Sequence, residues 1–560
     1  MKSHLFPHRI AAGMTFAGAV AAMSVLPVHA ATPAITFPAN VSTVHGSLPL
    51  FALHRSAAPT AFVSSAIAKT GSLKLENTRL VERDGHGVLQ AYVDGVTGDA
   101  EIFPDLSAAS AAPAAGGFSA QTIAGSIFAR ADIIPKDATQ ARLGAVTPVF
   151  AAQVQRANDG STQQQSAPAQ LFTYVSAIRY AAGLPVVGSG SHAVVAVGND
   201  GTIRGLVRRW QTAVRAGTVS ATTTSGQLVA AIAAQLSPLQ NAHTTISVDS
   251  VTPAYYDGDA KYVQPVYLFY ATLHPAAGGV GTGHVRGYVP VGKLVEPLPV
   301  IDHNGGAAPA APHPAGQLQG NISQITLGQY ANRDGTMQDM ANAYNSGFDA
   351  YPGRYGPPFN RTQWYWAWPY EVESSANSYL NAVQVAYTMP HGDWYENTTY
   401  SNYADFWYVN QIGVGGNPGY GAAGGGLLAT WIIDSCEVIP SYYDLQYTTG
   451  NGGNAFTNWW PVFKGLHRAL GFRTEMLLGE DTMNYDIALS MGEGANADSA
   501  FFNTVAEFSF PTYPDYHLNN LTVHYDRASI MYDPRNASES IFSVQGQSAS
   551  GQLTNVWMGN

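Results

Sequence analysis

The chain alternates between apolar runs with two different periods, and these divide it into elements before any other property is considered. In the first third, short strand-like runs mix with turns, as in Gly87-Val-Leu-Gln-Ala-Tyr-Val-Asp-Gly95. Apolar residues recur at helical spacing over Ala120–Ile134 and Ser225–Leu236, which predicts two helices. Leu171–Tyr180 and Gly183–Gly188 are two further apolar stretches. Within His192–Trp210, two apolar strands flank Asn199-Asp200-Gly201, residues that accept the positive φ of a tight hairpin turn. Tyr262–Leu273 predicts a further strand. Pro265, which has no N–H for a ladder, should confine it to a sheet edge or fall at its start. The polar run Arg156–Pro168 predicts a loop.

Beyond residue 302 the pattern changes. Residues 302–321 are rich in Pro, Ala and Gly and poor in bulky side chains, the composition of a semi-rigid linker. It separates an α+β N-terminal region, 31–301, with an internal boundary near 110, from a C-terminal domain, 322–560. Nine of the ten tryptophans follow the linker, so aromatic packing should concentrate there. In this half the apolar runs are short and continuous. Ala382–Met389 reads as a strand that stops at His391-Gly392, and Leu427–Ile433 as one bounded by the loop Gly421–Gly426. Continuous runs of this length suit strands buried on both faces, as in a parallel sheet. Trp460–Leu478 reads as helix, glycine, then strand, and Asp498–Glu507 as a helix.

Composition narrows the function. Residues 1–30 have a weakly basic start, an apolar run from Ile10 to Pro27 and the small-residue end Val28-His29-Ala30, which predicts a cleaved signal peptide and a secreted or periplasmic protein. No later run is apolar for long enough to span a bilayer, so no membrane span is expected in the mature protein. Net charge is −11 with only 12% charged residues, which argues against nucleic acid as a partner. The single cysteine, Cys436, rules out an internal disulfide framework and thiolate zinc clusters. With no His-Glu-x-x-His run either, neither a metal nor another cofactor is expected. Carboxylates in Gly479–Asp486 lack the spacing of an EF-hand.

The lone cysteine lies three residues past one apolar strand, and His391 lies just past another. In an open parallel sheet, groups at the carboxyl ends of neighbouring strands converge on one crevice. There a thiol could act as nucleophile and an imidazole as general acid and base. A glycine after the histidine leaves room for its N–H to meet a developing oxyanion.

These residues, a strand ending in His391-Gly392 and a strand ending in Ser435-Cys436-Glu437, resemble the caspase/legumain/gingipain superfamily of cysteine peptidases over about 365–510. The resemblance implies a caspase-like three-layer α/β sandwich with a mostly parallel sheet and a peptide or protein substrate. It gives His391 the role of general acid/base and Cys436 that of nucleophile, with the backbone amides of Gly392 and Cys436 as oxyanion hole. Asp393, Asp434 and Glu437 are the carboxylates near enough in sequence to orient the histidine or line a pocket. Pro390, before the histidine, departs from the superfamily pattern. Over roughly 110–300, Gly183-Leu-Pro-Val-Val-Gly188 ahead of a hairpin resembles propeptide-type domains of secreted bacterial peptidases, which implies an inhibitory role and a maturation site in the linker. A rival reading takes the aromatic segments Gln363–Glu371 and Tyr395–Tyr403 as a glycan-binding surface on an inactive peptidase-like scaffold.

Overall fold

The computed structural model describes residues 35–299 and 301, except 69–70, 108–118, 158–160, 165–166, 241–243 and 276–282. It also describes 326–559, except 332–334, 351–359, 366–368, 395, 399–405, 442–443, 445–455, 480, 509–515, 519–520 and 545. The signal-like stretch, the linker and much of both aromatic segments lie outside the described residues.

Alternating patterns in the N-terminal region become mostly antiparallel strands. In chain order they are β1 (Ser47–His54), β2 (Leu89–Asp94) and β3 (Ala100–Ile102), then helix α1 (Ala120–Phe128). Next come β4 (Gln140–Arg156), β5 (Ala169–Ala181), β6 (Leu184–Val187), β7 (His192–Gly198) and β8 (Ile203–Arg209). Helix α2 (Ser225–Leu236) precedes β9 (Thr244–Asp257), β10 (Tyr262–Pro275) and β11 (Gly283–Pro290). The hairpin β7–β8 forms around Asn199–Gly201 as expected. Helix α2 keeps its predicted limits because Thr224 and Gln227 close a reciprocal capping box, satisfying end amides that would otherwise lack partners. Helix α1 stops at Phe128, earlier than the spacing suggested, and turns follow it.

Strand β10 is not an edge strand. It pairs with β9 on one side, and on the other with β1 at Tyr262–Val263 and with β11 from Val266 onward. Pro265 falls in the gap between those last two partners, near the strand's start, so its missing N–H removes no ladder bond on that side.

The C-terminal elements are β12 (Thr326–Ala331), helix α3 (Gly335–Ala350), β13 (Asn360–Tyr365), β14 (Val385–Met389) and β15 (Thr430–Ile433). They continue with β16 (Arg468–Phe472), β17 (Leu477–Leu478), α4 (Asp481–Gly492), α5 (Ala497–Phe508), β18 (Ala528–Tyr532) and β19 (Gln552–Met558). Residues 460–462 form turns, and Phe463 a bridge to Tyr420, instead of the expected helix. Pro461 and Gly465 leave too few residues between them to repay helix nucleation, and Trp459, Trp460 and Phe463 pack into the core through the turns.

Strands β13, β12, β14, β15 and β16 pair side by side and all in parallel. Strands β18 and β19 then extend the sheet antiparallel, and β19 pairs with β4 over seven residues, from Gln552↔Gln155 to Met558↔Val149. The sheet thus runs on from the C-terminal strands into β4, β5, β7, β8, β3 and β2. The architecture is mixed α/β, and across the whole sheet antiparallel pairings outnumber parallel ones.

Residues on both sides of the linker share one core, and 33–560 form a single compact unit. Helix α5 explains why. All twelve of its residues are buried, including Asp498, Asn503 and Glu507. Several of its polar groups are held by the N-terminal region. Asn503 donates to Glu101 Oε1 (2.9 Å) and to the Ile102 carbonyl (3.1 Å), and accepts from the Tyr174 hydroxyl (2.9 Å). Ser499 donates to the Pro104 carbonyl (2.6 Å), and Arg209 lies 2.9 Å from Glu507. Removing one member of such a network leaves its buried partners unsatisfied. Asn503→Ala should therefore lower the unfolding free energy by roughly 1–3 kcal/mol, read from urea denaturation. An unchanged midpoint would contradict a shared, interlocked core.

Candidate active site

Parallel pairing sets the level of the two turns. Thr388 of β14 sits opposite Ile433 of β15, so His391 and Cys436 each lie three residues beyond the same rung. Both strands are buried along their whole length. Beyond the rung the chains stay together, since the Asp434 amide donates to the Thr388 carbonyl at 2.9 Å. A Cβ on Gly392 would stand 1.9 Å from Ser435 Oγ and 2.6 Å from the Cys436 carbonyl oxygen. The hydroxyl could rotate away, but the carbonyl is fixed in the main chain, so only glycine lets the turns meet. Overpacking of this kind usually costs about 1–3 kcal/mol.

The structure thus brings together His391-Gly392 and Ser435-Cys436-Glu437. His391 and Cys436 are buried, at 4% and 8% exposure. Asp393 is exposed and accepts from the Trp394 amide at 2.7 Å. Asp434 is buried; loss of solvent raises the Tyr344 phenol, on α3, and the Asp434 charge adds to the rise. Glu437 adopts a left-handed backbone (φ 53°), and its amide donates to the Thr474 carbonyl at 3.0 Å.

A third wall of the site went unread in the sequence. Strand β16 is the next parallel neighbour of β15, so the residues after Phe472 reach the same edge. The Met476 amide donates to the Cys436 sulfur at 3.4 Å, and this amide is the sulfur's hydrogen-bond partner among the described residues. Arg473 forms a buried ion pair with Asp444. Asp526 accepts from the Leu477 amide (3.1 Å), and its own amide donates to the Glu475 carbonyl (2.9 Å). A strand drawn through to Leu478 hid this segment. The position of β16 beside β15 was the signal that could have exposed it.

Electrostatics at the sulfur oppose ionisation. Burial pushes the Cys436 thiol well above its ordinary value, and the charges of Glu475, Glu437 and Asp526 push the same way, against the Met476 amide. Glu437 is itself pushed up to about 8, first by burial and then by Glu475 and Asp393. A reactive thiolate calls for positive neighbours and some exposure. As folded here, Cys436 is a neutral, covered thiol.

Elsewhere, Trp407, Trp431 and Trp459 are buried in the core, Trp407 stacked on Trp431 at 5.6 Å between ring centroids and Trp459 edge-on to Trp431, so these three offer no sugar platform. Residues 481–486 form the first turns of α4, with Asp486 3.4 Å from Arg209. Among the described residues, no cluster of three or more His, Cys, Asp or Glu side chains is placed to hold a metal ion.

No protein-family model matches the chain. No curated protein matches it either. Among solved structures it is similar to an uncharacterized protein from Eubacterium rectale ATCC 33656, at 11% identity over 44% of this chain and 84% of that one, with a TM-score of 0.26. So slight a likeness says nothing about function.

The protonation of Glu437 yields a pH prediction. Its folded pKa of about 8 lies above its ordinary 4.5, so between those values the folded chain binds more protons than the unfolded chain. Stability must then fall as pH rises through that window. Buried His192, held down to about 4 by loss of solvent, acts in the opposite sense only below about pH 6.5. The urea midpoint should drop between about pH 6.5 and 8.5, and Glu437→Gln should reduce the drop. A midpoint that holds or rises across this range in the parent protein would contradict the protonated Glu437.

Proposed function

We propose that the protein is a secreted cysteine peptidase of the caspase/legumain/gingipain kind, in a latent state. The observation that carries this reading is the common rung: imidazole and thiol leave neighbouring parallel strands at the same level, and Gly392 touches the Ser435-Cys436 turn. The parallel order β13-β12-β14-β15-β16 also favours a caspase-like sandwich for the C-terminal part, built into a larger mixed sheet.

In this mechanism His391 takes the proton from the Cys436 thiol, and the thiolate attacks the scissile carbonyl carbon. The carbonyl π pair moves onto oxygen, and the amides of Gly392 and Cys436 stabilise the oxyanion. Collapse expels the amine, which takes its proton from the His391 imidazolium. Water, deprotonated by the same imidazole, then hydrolyses the thioester and restores the thiol. The high thiol pKa means that this cycle needs a rearrangement around the sulfur before it can start. The N-terminal region fits an inhibitory propeptide role, since it shares the core that covers Cys436.

The test is hydrolysis of a fluorogenic peptide library by the full-length protein before and after limited proteolysis. Cleavage should appear after proteolysis and fall by about 10³-fold or more in both Cys436→Ala and His391→Ala. Cleavage that persists in Cys436→Ala would remove the nucleophile and the proposal with it.

A further inference from the structure

We propose that β11 of the N-terminal region is an autoinhibitory strand, latched by His284 to Glu475, that keeps Cys436 closed. This deepens the peptidase reading and rests on it. Strand β17 begins one residue after Met476, whose amide is hydrogen-bonded to the sulfur. The strand paired with β17 is β11, through two parallel rungs, His284↔Leu477 and Val285↔Leu478. An extended peptide approaching Cys436 would need a main-chain edge of this kind to pair with. Strand β11 already holds it.

Side chains fasten the same place. His284 Nε2 lies 2.9 Å from Glu475 Oε2, a close contact not aligned as a hydrogen bond and an ion pair only when the imidazole is protonated. Its Nδ1 is 3.3 Å from Thr272 Oγ1 and 3.4 Å from the Tyr525 hydroxyl. Val285, Leu273 and Val248 from the N-terminal region join Met476, Leu478 and Cys436 in one buried cluster. The carboxylate in this contact is also one of the charges that, after burial, raise the Cys436 thiol, so the contact adjoins the sulfur's own surroundings.

Two rungs make a short ladder. Whole-domain release would have to break the seven-residue β4–β19 pairing and unpack α5, whereas lifting β11 from β17 need not. Local opening of this size typically lies well below the global unfolding free energy. The device is therefore a local latch within an intact core.

Because Cys436 is the single cysteine, maleimide labelling of the full-length protein reads this site alone. The parent should label slowly, with a rate nearly independent of urea below the unfolding transition, as local opening requires. His284→Ala and Glu475→Gln should each raise the rate at least about tenfold, and the double variant no further, since both break one contact. Asn503→Ala, which weakens the core elsewhere, is the control and should raise it far less. Fast labelling of the parent, labelling as steep in urea as global unfolding, or an equal rise in the control would each overturn the latch. The peptidase reading fails separately: latch variants that label rapidly yet hydrolyse no peptide would keep the latch and remove the enzyme.

Discussion

The parallel ladder between Val385–Met389 and Thr430–Ile433 is the constraint on which the rest of the site depends. It has four rungs, all buried, and it ends with Thr388 facing Ile433. A one-residue slip would turn every side chain of one strand to the opposite face. It would also offset His391 from Cys436 and separate Gly392 from Ser435. The apolar residues on both faces hold the register, so the meeting of the two turns follows from core packing. No direct contact between the two side chains is needed to bring them to the same edge.

Placement and reactivity are distinct properties, and here they diverge. The strands bring an imidazole and a thiol to one edge, while burial first, and nearby carboxylates after it, keep the sulfur protonated. A structural core thiol would also be buried and neutral. The difference lies in what surrounds it. A core thiol has apolar neighbours alone, whereas Cys436 adds to its apolar neighbours Glu437, Glu475 and Asp526, close enough to perturb it, and an N-terminal strand against the adjoining edge. Charged groups gathered around a covered sulfur are costly to maintain and suit a site that opens.

Much of this was legible in the sequence, and what was not has physical reasons. Strands β14 and β15 appeared as continuous apolar runs because both their faces are covered. The hairpin at Asn199–Gly201 and the cap of α2 depend on local chemistry and were readable for that reason. The edge formed by Arg473–Leu478 was not, because its role comes from the neighbour that β16 acquires and not from its own composition. The continuity of the sheet through β4 and β19 was hidden too: pairing across some 400 residues leaves no periodic trace, and the linker suggested separation. Pro265 left edge and start open, and the start is what it marks; the gap that accommodates it arises between two distant strands. His284 and Glu475 are ordinary residues in sequence and acquire meaning only once β11 reaches β17.

The dyad itself is tested most directly by a peptidyl electrophile that acylates or alkylates a thiol only within a working site. Intact-mass analysis of the opened protein should show one adduct, at Cys436, formed about 10²-fold more slowly in His391→Ala. Equal rates with and without the imidazole would mean that His391 and Cys436 lie at one edge without acting together.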